Sequence, residues 1–498
     1  MQLLAAGAAT ALAATIGVTA LTTGALAATG GVTGFATQNG GTTGGAGGAT
    51  VKATTGTQIH AALCSRASAS TPITIQVEGT INHGNTAKVS GNSCSTAAGV
   101  IELKQISNVT IVGVGSGAVF DQVGIHIRES SNIIIQNVTV KNVKKSGSPT
   151  SNGGDAIGME SDVHNVWVDH ATLEASGGES EGFDGLFDMK AGTKYVTLSY
   201  SVLRNSGRGG LVGSSDSDLN NGPVTFHHNL YQNIDSRTPL LRGATAHIYD
   251  NYYLNLNESG INPRAGGKAK VESNYFEDSK DVLGTFYTDL PGYWQVSGNI
   301  FDNVSWSPKS SDMNPAGSNP TSTTTVSIPY SYTLDAASCV PSVVRATAGA
   351  GTGLRVSDGS CTPQTPTPTP TSTTPNPTPT PTTPTPTPTS TTPTGTSYGN
   401  VVDGSTSTYW SPNGSTGQIS VKWGSAKSIS KLNVREASGA TGAIRSWRVL
   451  NGDTGAVLAT GSGAGVISFT ATSLKKVTLD ITSSSGTPKV AELETYAQ

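Results

Sequence analysis

The sequence predicts an all-β protein in three parts: a solenoid of stacked β-coils, an extended spacer and an antiparallel β-sandwich. Three observations carry that reading. Short β-runs recur through the first part of the chain and, from the third run onward, are spaced by about 22 to 33 residues, with no helical segment of useful length between them. A coil of that period can bury its apolar face only against the next coil. Residues 362–394 are almost entirely Pro and Thr, a composition that buries no core and extends as polyproline II. Beyond them, roughly 100 residues carry five β-runs divided by turn signals, the spacing of a sandwich.

Composition agrees. Only 13% of the 498 residues are charged while 61 are Gly, and Thr, Ser, Val and Asn are abundant. That mixture favours strands and turns over helices, and the length leaves room for two or more domains. A formal net charge of −3 excludes a chain built as a whole to bind nucleic acid. Any recognition of a polyanion must come from local charge.

The chain opens on an uncharged run of small and apolar residues from Leu3 to Ala27, ending in Ala25-Leu26-Ala27, a small-x-small cleavage pattern. Residues 1–27 are expected to be a secretory signal peptide. No other apolar segment approaches the ~18 residues of a membrane span, so a secreted, extracellular monomer without membrane contact is expected. The four cysteines, Cys64, Cys94, Cys339 and Cys361, suit disulfides in an exported chain. Three pairings are open. The local ones, Cys64–Cys94 and Cys339–Cys361, are favoured because each flanks one end of the solenoid domain. No CxxC is present, which argues against zinc or redox chemistry.

After the signal, the Gly/Thr-rich stretch 30–48 reads as an ordered entry into the first strands. The β-runs follow at Ile73–Val77, Val109–Val114, Ile133–Val140, Val166–His170, Val196–Tyr200, Val224–Asn229, His247–Asn251, Lys270–Asn274 and Gln295–Asn299. The last four share a finer register. Asn229, Asn251, Asn274 and Asn299 each end a run, and two residues later stand Tyr231, Tyr253, Phe276 and Phe301. Stacked coils would place the asparagines in one ladder of side-chain amides and the rings in an internal stack. The domain boundaries expected are 28–361 for the solenoid, 362–395 for the linker and 396–498 for the sandwich. The runs of the last domain are Gln418–Trp423, Ser430–Glu436, Ser446–Asn451, Val466–Ala471 and Lys476–Ile481.

Chemistry concentrates in two places. Asp184 and Asp188 stand four apart in FDGLFDMK, and Arg237 and Arg242 stand five apart after the strand-like VTFHHN. Carboxylates that gather a cation, followed by arginines on a turn, suggest a site for an acidic substrate. Asp155, in GGDAI, joins the two upstream aspartates to make an oxygen-rich set suited to Ca²⁺ and not to zinc. His170, His227, His228 and His247 invite a triad reading, but no Ser stands in a nucleophile-elbow setting, and they are read as structural.

Together, VWVDH (Val166–His170), DGLFDMK (Asp184–Lys190), VTFHHNLYQNIDSRTPLLRG (Val224–Gly243) and GINPRAGGKAKVESNYFE (Gly260–Glu277) resemble the family 1 pectate lyases, which fold as right-handed parallel β-helices. The resemblance covers roughly residues 30–361. It implies cleavage of α-1,4-linked polygalacturonate in pectin by calcium-assisted β-elimination, giving 4,5-unsaturated oligogalacturonides. It further implies Arg237 as the base, Asp155, Asp184 and Asp188 as Ca²⁺ ligands, and Lys190, Arg208 and Arg242 as substrate-binding residues. Trp167, Asp169 and His170 are implied to form a buried hydrogen-bonded cluster away from the metal.

Two departures stand out. Arg208 occupies a position where the family usually has lysine, and Gly153 one where some relatives carry a further aspartate; the first bears on substrate preference, the second on calcium affinity without substrate. A calcium-independent pectin lyase acting on methylated pectin, a hydrolase using paired carboxylic acids and a non-catalytic polysaccharide-binding solenoid are the alternatives. The three aspartates oppose the first, the arginine motif the second, and the complete base and cation set the third. The C-terminal domain resembles discoidin-like (factor 5/8 type C) carbohydrate-binding modules through VDGSTSTYW (Val402–Trp410), VKWG (Val421–Gly424) and AELETYA (Ala491–Ala497), which implies a carbohydrate ligand. Its Trp410 and Trp423 are read as core residues.

Overall fold

The computed structural model describes residues 31–147, 150–364, 387–389, 398–402, 408–412, 414–437, 440 and 442–497. The expected signal peptide and most of the Pro/Thr linker lie outside these residues. Two compact units emerge, one on either side of the boundary between Thr371 and Ser372.

The first unit is a parallel β-helix in which each coil carries three strands. One stack runs through Ser131–Gln136, His164–Asp169, Lys194–Ser199, Val224–His227, Thr245–Tyr249, Lys268–Glu272 and Tyr293–Ser297, paired in parallel. These are the β-runs visible in the sequence. A second stack includes Thr172–Gly177, Val202–Arg208, Leu230–Ser236, Tyr252–Leu256 and Tyr275–Glu277. A separate seven-stranded sheet is built from Ile101–Lys104, Ile125–Arg128, Ile157–Glu160, Phe187–Met189, Leu211–Val212, Leu240–Arg242 and Asn262–Arg264.

Alternation in the first stack aims one side chain of every second residue inward. Ile133, Val166, Val196, Val224, Ala246 and Ala269 therefore lie in register on successive coils, all fully buried. Where the first stack turns into the second, the backbone passes through a left-handed residue: φ is +53° at His228, Asp250 and Ser273. The residue after each is an asparagine, and the expected ladder is present. Asn229 Nδ2 donates to Asn251 Oδ1 at 2.9 Å, Asn251 Nδ2 to Asn274 Oδ1 at 3.0 Å and Asn274 Nδ2 to Asn299 Oδ1 at 3.0 Å. The rings follow, with centroids 4.8 Å (Tyr231–Tyr253), 4.7 Å (Tyr253–Phe276) and 5.2 Å (Phe276–Phe301) apart.

Asn251 is wholly buried, and its carboxamide accepts from the Asn229 backbone N–H and donates to the Phe226 carbonyl. Asn251→Ala strands these groups without water, at ~1–3 kcal/mol for each buried group left unpaired. We expect a loss of about 3 kcal/mol or more, read from the urea midpoint of the β-helix. A loss below about 1 kcal/mol would show that the ladder is not a stabilising device.

The ends and flanks are closed by other elements. Helix Gly56–Cys64, N-capped by the Thr55 side chain, buries Ile59 and Leu63 against the first coils. Helix Val340–Thr347 packs Val340 and Val344 on Val202, Leu230 and Tyr252. Both local disulfides are formed, Cys64–Cys94 and Cys339–Cys361. The stretch after residue 30 is ordered but does more than lead into the first strand. Phe35 N donates to Thr225 Oγ1 and Ala36 N to Thr197 Oγ1, so the segment lies across the outer face of later coils. Gly34 is required there: at φ +63° a Cβ would sit 2.6 Å from Thr197 Oγ1.

The second unit is an antiparallel sheet, and it corrects the expected strand count. Gln418–Trp423 and Ser430–Glu436 belong to one bulged strand, Gly417–Glu436, and Val466–Ala471 and Lys476–Ile481 to another, Gly465–Ser484. The turn signals between those runs are irregularities within continuous strands, which bend without breaking. Three residues of the Pro/Thr stretch, Thr387–Thr389, pair with Ser420–Lys422, so a piece assigned to the linker adds to this sheet. Trp410 and Trp423 are buried in its core with Val421, Leu432 and Leu479. Among the described residues, no helix is long and apolar enough to cross a membrane.

Candidate active site

The seven-stranded sheet is the platform of the site. Its strands are short, two to four residues each, and the site residues lie on them or on the turns beside them. Asp188 lies within Phe187–Met189 and pairs across to Gly158 on the preceding coil. Asp155 stands just before that coil's strand and Asp184 in the loop before Asp188. Their carboxylate oxygens fall within 4.8 Å of one another, as the sequence anticipated. Two glycines make the room. A Cβ on Gly185 would lie 2.1 Å from Asp188 Oδ1, and one on Gly158 would lie 3.0 Å from Asp155 Oδ2.

Three carboxylates this close need compensation. Lys190 Nζ lies 3.1 Å from Asp155 Oδ2 and 3.3 Å from Asp188 Oδ2, and Lys145 Nζ lies 3.3 Å from Asp184 Oδ2. The compensation is incomplete. Burial, with the charge of Asp188 added and that of Lys190 opposing, pushes Asp155 up to about 8. Burial also raises Asp188, and Asp155 Oδ1 is a buried acceptor without a hydrogen-bond partner. An all-oxygen set with an orphaned carboxylate oxygen fits a hard divalent cation such as Ca²⁺.

Arg208 joins this cluster to the arginines. Its Nη1 lies 3.2 Å from Asp184 Oδ1 while Nη2 pairs with Glu179. Arg237 follows Leu230–Ser236 at a left-handed corner, φ +64°, before a cis Thr238–Pro239 peptide. A side chain in that backbone region is held there by its surroundings. Among the described residues the Arg237 guanidinium has no ion pair or hydrogen bond. Burial, reinforced by Arg208 and Arg242 and opposed by Asp188 and Asp184, lowers its pKa from the ordinary arginine value. Arg242 is held by Asp216 Oδ1 at 2.8 Å and the Gly213 carbonyl at 2.8 Å.

The sequence reading missed Arg264. It pairs in register with Arg242, one coil on, so the coil period that aligned the asparagines could have found it. Burial and the nearby Arg242 push it down to about 10. Arg208, Arg237 and Arg264, with Glu258 and Tyr287, line a cleft of about 660 Å³. A smaller hollow of about 190 Å³ adjoins Asp155 and Lys190, where His126 and Arg128 share Glu160. All seven expected site residues thus lie on one face of neighbouring coils.

The histidines are elsewhere. His170 Nδ1 lies 2.6 Å from Asp169 Oδ2, and Ser199 links the other Asp169 oxygen to Trp167 Nε1. His227, His228 and His247 are buried on the outer side of the first stack.

With this geometry in view, the comparisons with known proteins are decisive. The family model described as pectate lyase matches residues 6–353. The chain belongs to the pectate lyase family. It is 41% identical over 307 residues to a pectate trisaccharide-lyase from Bacillus licheniformis, an alignment spanning 61% of this chain and 82% of that protein. A pectate lyase from Bacillus sp. N165, solved in complex with trigalacturonate, is similar at 33% identity and a TM-score of 0.54, over 65% of this chain and 99% of that one. Pectate lyase C from Erwinia chrysanthemi, solved with Ca²⁺, is similar at 27% identity and a TM-score of 0.55, over 64% and 97%. The activity implied by the sequence motifs, that of a polysaccharide lyase on polygalacturonate, is therefore the activity of its family, carried by the β-helix.

Proposed function

We propose that this pectate lyase is a secreted enzyme that cleaves α-1,4-linked polygalacturonate by β-elimination with Arg237 as the base. The carrying observation is that Arg237, unpaired and with a lowered pKa, stands in the same cleft as Arg208, which touches the three-carboxylate cluster. Neutral Arg237 takes the proton from C5 of a galacturonate. The C5–H electron pair becomes the C4–C5 double bond and the C4–O4 bond breaks with its pair going to O4, which takes a proton from water and leaves as the new reducing end, opposite a 4,5-unsaturated end. Asp155, Asp184 and Asp188 would hold Ca²⁺, which on a C6 carboxylate makes the C5 proton more acidic. Lys190, Arg208 and Arg242 supply the cationic groups for uronate carboxylates, with bidentate geometry available to the arginines. Arg264 extends that row by one coil. Glycine at position 153 in place of a carboxylate implies weak cation binding before substrate arrives.

The two disulfides support an oxidising, extracellular destination. The C-terminal unit is proposed as a carbohydrate-binding module. Its Trp410 and Trp423 are core residues, so sugar contact must use other side chains. The Bacillus relative's name suggests trisaccharide as the product to look for first.

The test is ultraviolet absorbance of unsaturated products from polygalacturonate, with and without chelator, repeated on highly methylated pectin. Chelator-sensitive absorbance on the acidic polymer is expected. Chelator-insensitive absorbance on pectin would instead make the enzyme a pectin lyase, reducing ends without absorbance a hydrolase, and binding without product a non-catalytic solenoid.

A further inference from the structure

A second cleft, of about 480 Å³, opens over the outer face of Val224–His227 and Thr245–Tyr249. It shares no residue with the active-site cleft. Strand alternation creates it. Val224 and Phe226 point into the core, so Thr225 and His227 point out, as do His247 and Tyr249 on the next coil. Residues after the leader form one rim, and Tyr330, Tyr332 and Ser357 form the other. The volume falls in the ~300–1,000 Å³ range of small-ligand sites.

Its chemistry is the reverse of the active site's. The lining holds four tyrosines and two histidines, and no Asp, Glu, Lys or Arg. The His227 ring stacks on Tyr249 at 4.9 Å, with Tyr332 5.4 Å from Tyr249. Most polar atoms of the walls are already engaged. Tyr330 Oη lies 2.7 Å from both Thr225 Oγ1 and His247 Nδ1, Tyr200 Oη accepts from Ser357 N at 3.0 Å, and His227 Nε2 lies 2.7 Å from Thr33 Oγ1. Tyr332 Oη accepts from Lys270. The walls are thus preset.

Tyr249 is the exception. It is only 4% exposed, yet among the described residues its hydroxyl has no hydrogen-bond partner. That oxygen is not among the sealed, unpartnered ones, which include those of Tyr231 and Tyr253 in the internal ring stack, so it is open to the cleft. Behind the cleft, His228 Nε2 lies 3.1 Å from the buried carboxylate of Asp335, with Asp250 beside it. Burial holds the pKa of His227 and of His228 below the ordinary value, so neither ring is a fixed positive charge in the floor; the Lys270 ammonium lies at the edge, 5.1 Å from the Tyr332 ring centre and bonded to its hydroxyl.

We propose that this cleft binds a neutral glycan, one sugar ring packing its C–H face on Tyr332 and Tyr330 and one sugar hydroxyl pairing with Tyr249. Aromatic rings that are apolar on the face and polar at the tip suit a ligand with that same division. This site goes beyond the lyase reading and does not rest on it: it is a second point of attachment, for uncharged polymer, on the catalytic unit itself.

Calorimetric titration of the full-length enzyme with galacto-, arabino- and xylo-oligosaccharides, and separately with trigalacturonate, tests it. One neutral oligosaccharide is expected to saturate a site that Tyr332→Ala weakens by about tenfold or more and Tyr249→Phe by several-fold. Release of unsaturated product from soluble polygalacturonate should stay within about twofold in both variants. Tyr249→Phe deletes one hydroxyl and no wall, so its fold is expected to match the parent's. The proposal is overturned if no neutral oligosaccharide binds. It is equally overturned if both variants bind as the parent does, which places binding on the C-terminal unit, or if trigalacturonate is the ligand whose affinity they lower.

Discussion

Arg237→Ala is expected to lower kcat on polygalacturonate by ~10²–10⁴-fold, the range for loss of a positioned general base, while KM changes little. The split follows from the geometry. Among the described residues Arg237 makes no ion pair, so its removal leaves no buried partner charge behind, and Arg208, Arg242 and Arg264 remain to grip carboxylates. A substrate-holding arginine would show the opposite pattern, KM raised with kcat kept. The pH dependence has a definite sign. Only neutral guanidine can accept the proton, and the burial and cationic neighbours of Arg237 lower its pKa. Below that pKa the competent fraction rises about tenfold per pH unit, so kcat should climb into the alkaline range. A kcat that is flat or falling between about pH 7 and pH 10 would remove Arg237 from this role.

The second large effect is expected at the carboxylates. Loss of a group that merely supports a metal ligand costs ~10–100-fold, so Asp188→Asn, which removes a ligand, should weaken calcium by more than that and abolish activity at low calcium. Its stability effect distinguishes a cation site from a structural cluster. Burial raises the Asp188 pKa in the folded protein. A carboxyl raised in this way contributes stability below its unfolded pKa and loses it as pH rises through the folded value, so at working pH the charge is a burden. Without calcium, Asp188→Asn should therefore leave Tm unchanged or higher, whereas with calcium it should forfeit the metal-dependent rise. A lower Tm in both conditions would make Asp188 a structural residue. Because Asp155 is pushed up to about 8, proton and cation compete below that pH. Calcium affinity should tighten as pH rises toward about 8 and then level off.

How much was legible depended on whether a feature was local or repeated. The first strand stack was legible because its runs are four to six residues of alternating or β-branched sequence. The asparagines and rings were legible because each coil restates them at the same offset. The disulfides close short spans, with sequence separations of 30 and 22. The sheet that carries the active site left little trace, since Leu211–Val212 and Phe187–Met189 are only two and three residues long. No periodicity can be read from so few positions. Arg264 escaped for a related reason: it lies on one of these short strands, where only the 22-residue offset from Arg242, the offset of Asn229 to Asn251, marks its place before the pairing shows it. In the C-terminal unit, turn-like residues inside Gly417–Glu436 looked like strand ends, because a bulge and a turn use the same residue types.

By itself, the sequence determined the stacked β-coils and the asparagine ladder, since both are written in local pattern and repeat; it favoured the two local disulfides among three pairings, and the parallel β-helix and the elimination chemistry came through the family its motifs resemble. Only the tertiary structure decided the electrostatics. That Lys190 straddles Asp155 and Asp188, that Arg208 ties Asp184 to the arginine row, and that Arg237 alone among these stands without a partner are facts about neighbours on different coils. Burial sets those pKa shifts and spacing sets those ion pairs, and both arise when coils stack and exclude water, a distance no linear pattern records.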